Sequence, residues 1–201
     1  MTTRPSAARP ATPDAPSTDE PPRATGALRR LRRAATTVVT AVLGVALAGV
    51  PVLVAPPQDP PGTADVVVVL GPPQAWRVDW ARELVADGRA SAILLFADDP
   101  ATVPLCSQTA PVPVVCHRPD PYTTRGEART LRAEMSARGW RTATVITAAP
   151  NVLRARWVVG RCVEEGVQVV GRREDIGLDR WVMRYAWQAG GFVKAALQRG
   201  C

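Results

Sequence analysis

The chain has 201 residues and a formal net charge of +7, from 25 Lys and Arg residues against 18 Asp and Glu residues. Seven Arg and three acidic residues fall within the first 33 positions, so the rest of the chain is only mildly basic. Because no basic stripe is interleaved with aromatic residues and no binding motif occurs, the composition argues against nucleic acid as a partner.

The N-terminal region predicts a tail followed by a membrane anchor. Residues 1–28 are rich in Pro, Ala, Thr and Ser without apolar periodicity, which predicts a disordered tail. A basic flank, residues 29–33, precedes 22 uncharged residues over 34–55. As a helix this run would measure roughly 33 Å, enough to cross a bilayer. Since basic residues lie only before the run, the positive-inside rule predicts a cytoplasmic tail and a domain outside the plasma membrane.

A cleavable signal peptide is the alternative interpretation of the same run. Ala46-Leu47-Ala48 has the small residues of a cleavage site. The long tail before the run and its apolar continuation to Val54 favour an uncleaved anchor. Both interpretations export the domain into a compartment that permits disulfides.

Residues 56–64 predict a Pro-rich linker, and strands then alternate with helices over residues 65–201. The strongest strand is Val66–Leu70, a continuous apolar run typical of a strand buried on both faces of a parallel sheet. The alternation predicts a three-layer α/β Rossmann-like sandwich with right-handed crossovers and a mostly parallel sheet of about five strands. Further strands are predicted over 91–96, 112–116, 142–147 and 167–170, and helices over 76–86, 124–138, 151–162 and 178–197.

The segment Pro121–Ala128, which joins the third strand to its helix, has two interpretations. Thr123 or Thr124 is suited to a helix N-cap, with Glu127 as its capping-box partner. Alternatively, the N–H groups at this helix end bind an anion and Arg125 adds positive charge. The sequence leaves both open.

Ligands of such sheets bind at the carboxyl ends of the strands, which gathers Gly71, Asp98, residues 117–127 and residues 147–154. Gly71 would let the backbone approach a ligand closely. There is neither a G-x-G-x-x-G sequence nor a P-loop, so no usual nucleotide site is predicted.

Metal and histidine chemistry have little support. Asp98-Asp99 before Pro100 is more typical of an ordinary turn than of a metal site. A lone histidine such as His117 is more often a surface or packing residue than a catalytic base. Four cysteines without C-x-x-C spacing do not form a structural zinc motif.

The predicted elements constrain the cysteine pairing. Cys116 ends a strand on the ligand side, whereas Cys162 ends a helix that runs back to the opposite side. A helix of about 12 residues separates these sides by roughly 18 Å, which is too far for one disulfide. Cys201 should return to the side of Cys162, so we expect the bridges Cys106–Cys116 and Cys162–Cys201.

The order of motifs resembles the YdcF/SanA/ElyC-like family. The resemblance covers most of residues 65–171. Its parts are Val66–Gly71, Arg77, Gly88–Ala90, Ile93–Leu95, Thr123–Ala128, Val145–Thr147, Asn151, Arg154–Arg156 and the tail Lys194–Leu197.

The resemblance implies a Rossmann-like domain at a bacterial inner membrane, linked to envelope integrity and to cell-wall or lipid-carrier metabolism. One cytosolic member is associated with S-adenosylmethionine, a ligand that the exported topology disfavours here. Asn151 occupies the family's usual His position and cannot serve as an acid or base near neutral pH. Asp98-Asp99 replaces the family's Gly-rich turn after the second strand.

The leading hypothesis is a membrane-anchored extracytoplasmic domain that binds, or binds and processes, an anionic envelope component such as a phosphorylated lipid carrier or cell-wall precursor. No cofactor and no metal are assigned. Glu127 is the candidate general base or cation ligand. The expected ligand-binding residues are Gly71, Arg77, Asp98, Thr123, Thr124, Arg125, Thr147, Asn151 and Arg154.

The alternative hypothesis is a non-catalytic scaffold that docks protein partners through the last helix. Its aromatic residues, Trp181, Tyr185, Trp187 and Phe192, would form the docking surface. Aromatic residues at helical spacing are nevertheless more typical of a core. An S-adenosylmethionine-binding enzyme is a third hypothesis and would require the domain to be cytoplasmic.

Overall fold

The computed structural model describes residues 24–58, 60–198 and 200–201, and the first 23 residues of the predicted disordered tail, residues 1–28, lie outside them. The chain divides into two units, residues 1–43 and 44–201. Helix α1 covers Ala24–Gly49 and continues as a π-helical segment, Val50–Val54. It begins inside the segment predicted as tail. Within the described residues, Gly26–Val54 is one helical stretch long and apolar enough to cross a membrane.

The second unit is built on a five-stranded sheet in which every strand pair is parallel, in the order β3-β2-β1-β4-β5. This confirms the predicted fold class. The central strand β1 is buried on both faces, as its run of valines requires. The strands are β1 Val66–Val69, β2 Ile93–Phe96, β3 Val114–His117, β4 Ala143–Ala148 and β5 Val167–Arg172.

Helices cover both faces of the sheet. Val66 and Val68 belong to a core cluster with Leu131 of α4 and Val152 of α5, whereas the alternate side chains of β1 pack with Trp80 and Leu84 of α2. The period of two along a strand therefore builds the two halves of the core. The helices are α2 Ala75–Ala86, α3 Pro104–Ser107, α4 Thr124–Arg138, α5 Val152–Val159 and α6 Leu178–Leu197.

Element ends differ from the predicted ones where prolines intervene. β3 begins at Val114, after Pro113, and α5 begins at Val152 because Ala149–Asn151 forms a 3-10 turn around Pro150. The short helix α3 in the loop before β3 was not predicted and starts at Pro104. A proline fixes φ for a first helical turn and cannot donate to a sheet.

Both predicted disulfides are present. Cys106–Cys116 ties α3 to β3, with 5.9 Å between the Cα atoms. Cys162–Cys201 joins the region after α5 to the residue beyond α6, with 4.7 Å between the Cα atoms. The bridges thus fasten the edge-strand loop and the C-terminal segment onto the same sandwich.

The segment between the N-terminal helix and β1 is held against the domain. Leu53 is buried, and the side chain of Gln58 bonds both main-chain groups of Gly171, accepting from the N–H at 2.6 Å and donating to the carbonyl at 2.8 Å. Gly62 N–H donates to the side chain of Gln168 at 3.0 Å. The segment predicted as a linker therefore runs along β5 as an ordered part of the domain.

Candidate functional site

The carboxyl ends of the strands gather Gly71, Glu127 and Arg154 in one open hollow of about 710 Å³. This volume is typical of small-molecule sites. Loops after β1 and β3 form one side of the hollow, and α6 forms the other. Its lining residues are Gly71, Pro72, Tyr122, Thr123, Thr124, Glu127, Arg154, Met183, Ala186, Trp187, Gly190, Gly191 and Lys194.

Thr123 caps α4, as predicted: its Oγ1 accepts from Gly126 N–H at 3.3 Å. The predicted capping-box role of Glu127 is wrong. Thr123 N–H instead donates to the Pro121 carbonyl at 2.7 Å, and Glu127 Oε1 accepts from Gly71 N–H, also at 2.7 Å. The carboxylate therefore joins the first turn of α4 to the end of β1.

Two glycines permit this connection. A Cβ on Gly126 would lie 2.0 Å from the Pro121 carbonyl oxygen, and one on Gly71 would lie 2.2 Å from the Tyr122 hydroxyl oxygen. No other residue type leaves this space. Gly71 and Gly126 thus let the three chain segments approach closely enough for Glu127 to reach the β1 loop.

Glu127 is almost completely buried, with 4% of its surface exposed. Burial raises its pKa from 4.5 to about 7, against the opposing effects of Gly71 N–H and the charges of Arg154 and Arg77. Near neutral pH the carboxyl group can therefore both release and accept a proton. Such a group is suited to acid–base chemistry or to donating a hydrogen bond to an anion.

Arg154 connects α5 with both sides of the hollow. Its Nη1 donates to Thr124 Oγ1 at 3.3 Å and its Nε donates to Gln188 Oε1 at 3.1 Å. A Cβ on Gly191 would lie 2.9 Å from Arg154 Cδ, so α6 can pack on this side chain because it has glycine there. Burial lowers the pKa of Arg154, an effect that Glu127 opposes. Arginine nevertheless stays charged near neutral pH.

Arg77 lies under the β1 loop. Its Nη1 donates to the carbonyls of Leu70 at 3.2 Å and Pro72 at 3.3 Å, and its Nη2 lies 3.9 Å from Glu174. Glu174 also accepts from Arg184. Arg77 Nε has no hydrogen-bond partner among the residues that the structure describes. Arg77 therefore organises the loop with one edge of its guanidinium, while its buried Nε is unpaired among the described residues.

A second hollow, of about 620 Å³, adjoins the first and shares Gly71 and Arg154 with it. Within the described lining of both hollows, Glu127 is the single acidic side chain. Cations converging on a partly enclosed space produce a positive potential that attracts anions. The five basic side chains of the two linings are Arg77, Arg154, Arg180, Arg184 and Lys194.

Three of the predicted ligand-binding residues, Arg125, Asp98 and Thr147, do not line these hollows. Arg125 donates to the Cys201 carbonyl at 2.8 Å, and Asp98 is exposed, pairs with Arg118 at 2.9 Å and lines another hollow. Thr147 is buried and accepts from Asn151 Nδ2 at 2.8 Å, so it positions Asn151 at the second hollow. Asn151 Oδ1 is without a hydrogen-bond partner in the described part of the chain.

His117 lies at the end of β3, where its Nε2 is 2.9 Å from Glu134 Oε1, a packing contact of the kind expected for it. Across residues 24–58, 60–198 and 200–201, no three His, Cys, Asp or Glu side chains cluster closely enough to hold a metal ion.

The α6 side of the hollow was not predicted. Its residues include Met183, Trp187 and Lys194, with Gly190 and Gly191 between them. The adjacent glycines were the available signal, because glycine within a helix costs about 1 kcal/mol relative to alanine and needs a packing reason. No protein-family model, curated protein or solved structure matches this chain.

Proposed function

We propose that the domain binds an anionic, phosphate-bearing component of the bacterial cell envelope, such as a phosphorylated lipid carrier or a cell-wall precursor. The observation that carries the proposal is the excess of cations around the two adjoining hollows: five basic side chains against Glu127 in the lining and Glu174 behind it, which pairs with Arg77 and Arg184. Phosphate oxygens are favourable partners for arginine, whose N–H groups form a planar fork.

The location follows from the anchor and the cysteines. α1 spans the plasma membrane in a single pass, and the basic flank before its apolar run keeps the N-terminal side in the cytoplasm. The two disulfides suit an oxidising, extracytoplasmic compartment. The resemblance to the YdcF/SanA/ElyC-like family supports the same placement.

Recognition of the anion is shared by α4, α5 and α6. The N-terminal end of α4, a 15-residue helix capped by Thr123, faces the hollow with the positive end of its dipole. Arg154 and Lys194 supply full charges from the other two helices. A phosphate group in the hollow would then be surrounded by donors on three sides.

Glu127 is the group through which a proton would move. With a pKa of about 7, its protonated form donates to a phosphate oxygen and its ionised form accepts a proton from a nucleophile. Asn151, at the position of the family's usual His, donates its Nδ2 to Thr147 and takes no part in proton transfer.

The test measures binding of a polyprenyl phosphate to the full-length protein in lipid nanodiscs, beside the matching polyprenol and inorganic phosphate. We expect Arg154→Ala to weaken binding of the phosphorylated lipid roughly 10- to 100-fold, since a hydrogen bond to a charged group contributes about 1.5–3 kcal/mol. Arg132→Ala is the matched control, because it removes the same charge from an exposed position on α4.

Thermal melting of both variants separates lost folding from lost binding. Equal affinity for polyprenol and polyprenyl phosphate would contradict the proposal. Equal affinities of Arg154→Ala and Arg132→Ala for the phosphorylated lipid would contradict it as well.

A further inference from the structure

Helix α6 exposes an apolar face, which the exposed Asp179 interrupts in the first turn. Leu178 is 86% exposed and Trp187 is 74% exposed, while only Gln188 and Ala195 of its described side chains are buried. Over residues 181–193 the one charged residue is Arg184, which donates to Glu174. Exposed large apolar patches mark interaction surfaces. The exposed large apolar residues of α6 are Leu178, Val182, Met183, Trp187, Val193 and Leu197.

These side chains occupy one side of the helix. At 100° per residue, Val182 and Val193 fall about 20° apart, and the other members lie within the same half of the circumference. Gln188 and Ala195, the buried pair, fall on the opposite half. Trp181 and Tyr185 are half-buried toward the domain, so α6 is apolar on both sides. A helix that is apolar all round requires cover on both sides.

The same helix packs against the outer end of the membrane anchor. Tyr185 Oη donates to the Ala46 carbonyl at 3.0 Å, and a Cβ on Gly49 would lie 2.2 Å from the Tyr185 ring. Ala46 and Gly49 belong to the second half of the uncharged run over residues 34–55, and they are part of the same compact unit as α6. α6 therefore lies beside the segment by which the chain leaves the bilayer.

We propose that α6 lies in the interface of the bilayer that carries the anchor, with its exposed apolar face in the boundary between headgroups and acyl chains. Interfacial helices bury such a face by about 5–10 Å. Trp187 and Lys194 lie at one edge of the face, where aromatic rings and cations meet headgroups. Because the anchor lies in the same bilayer, the lipid surface is present next to α6 at a high effective concentration. A soluble partner lacks this advantage.

This docking does not depend on what the hollow binds. It does determine where the hollow opens, because Met183, Trp187 and Lys194 also line it. A ligand that enters the hollow over α6 would come from the lipid surface.

The test places a nitroxide at Val182→Cys or Val193→Cys in the full-length protein, in nanodiscs, with the four native cysteines kept as disulfides. Accessibility to oxygen, which partitions into lipid, is compared with accessibility to a water-soluble nickel chelate. The matched control is Ala86→Cys, an exposed position on α2 across the sheet. We expect the oxygen-to-nickel ratio at 182 and 193 to exceed the ratio at 86 several-fold.

Three outcomes would overturn the proposal. An oxygen-to-nickel ratio at 182 and 193 equal to the ratio at 86 would show that the face is exposed to water. Protection from both reagents would mean that a protein covers the face. Spin–spin broadening in undiluted samples that disappears on dilution with unlabelled protein would identify a second copy of the chain as the cover.

Discussion

Replacing Glu127 by Gln should change how the stability of the domain depends on pH. The folded protein raises the pKa of this carboxyl from 4.5 to about 7, chiefly through burial. Between these values the folded carboxyl stays protonated while that of the unfolded chain is ionised. Stability associated with Glu127 is therefore complete below about pH 4.5 and is lost as the pH rises through 7. Gln keeps the shape and can accept from Gly71 N–H, but it does not titrate.

The size of the effect follows from the two pKa values. At about 1.36 kcal/mol per pH unit, their difference corresponds to roughly 3 kcal/mol. For a chain of this size, 1 kcal/mol shifts the Tm by about 2–4 °C, so the shift amounts to about 6–12 °C. The Tm of Glu127→Gln minus the Tm of the native protein should therefore increase by this amount between pH 4.5 and pH 8.5. Circular dichroism of full-length protein in detergent micelles measures it.

Glu134→Gln is the matched control, because the hydrogen bond from Arg138 holds the pKa of Glu134 below its ordinary value. A lowered pKa gives stability above the unfolded value that is lost on acidification. The Tm of Glu134→Gln minus the Tm of the native protein should therefore decrease as the pH rises. A Tm difference for Glu127→Gln that stays constant from pH 4.5 to pH 8.5 would refute the reasoning, since a desolvated carboxyl must respond.

Three further experiments test the site and the packing of the rest of the domain by substitution. Gly126→Ala should lower the Tm by an amount equivalent to roughly 1–3 kcal/mol, because the added Cβ meets a carbonyl oxygen 2.0 Å away, whereas Gly190→Ala, with open space around it, should raise the Tm slightly. Serine at both Cys162 and Cys201 should cost roughly 4 kcal/mol, the value expected for a closed loop of this length, and native Tm values in this double variant would contradict it. Gln58→Ala should cost about 1–3 kcal/mol and speed hydrogen exchange of the β5 amide that Gln58 holds; unchanged exchange would show that the segment is not docked.

The sheet could be predicted because its signals are local. A run of valines such as Val66–Val69 fits a buried parallel strand and little else, and Thr123 is a good N-cap wherever a helix follows. The partner of Glu127 could not be predicted in the same way. Gly71 lies 56 residues away, and the contact depends on how two loops cross at the sheet edge.

The arginines of the motifs show the same limit of prediction from local sequence. Arg125 belongs to the central motif and is directed to Cys201, while Arg154, from the next helix, reaches the hollow. The sequence places both at the correct end of the sheet, but the rotation of each helix about its axis decides which side chain enters. For α6, periodicity predicts a helix with aromatic residues but does not state what they face. The expectation that these residues form core is wrong for Trp187, which is exposed.

The way in which the chain joins its anchor to the domain also limits where the protein can act. A free Pro-rich linker over residues 56–64 would span roughly 28 Å, at about 3.1 Å per residue. Here the folded unit starts at Gly44, inside the apolar run, and Gln58 and Gly62 are already fastened to β5. If α1 crosses a bilayer as proposed, no flexible linker separates it from the domain. The domain would then stay close to the lipid surface, and its ligand would have to be present at that surface.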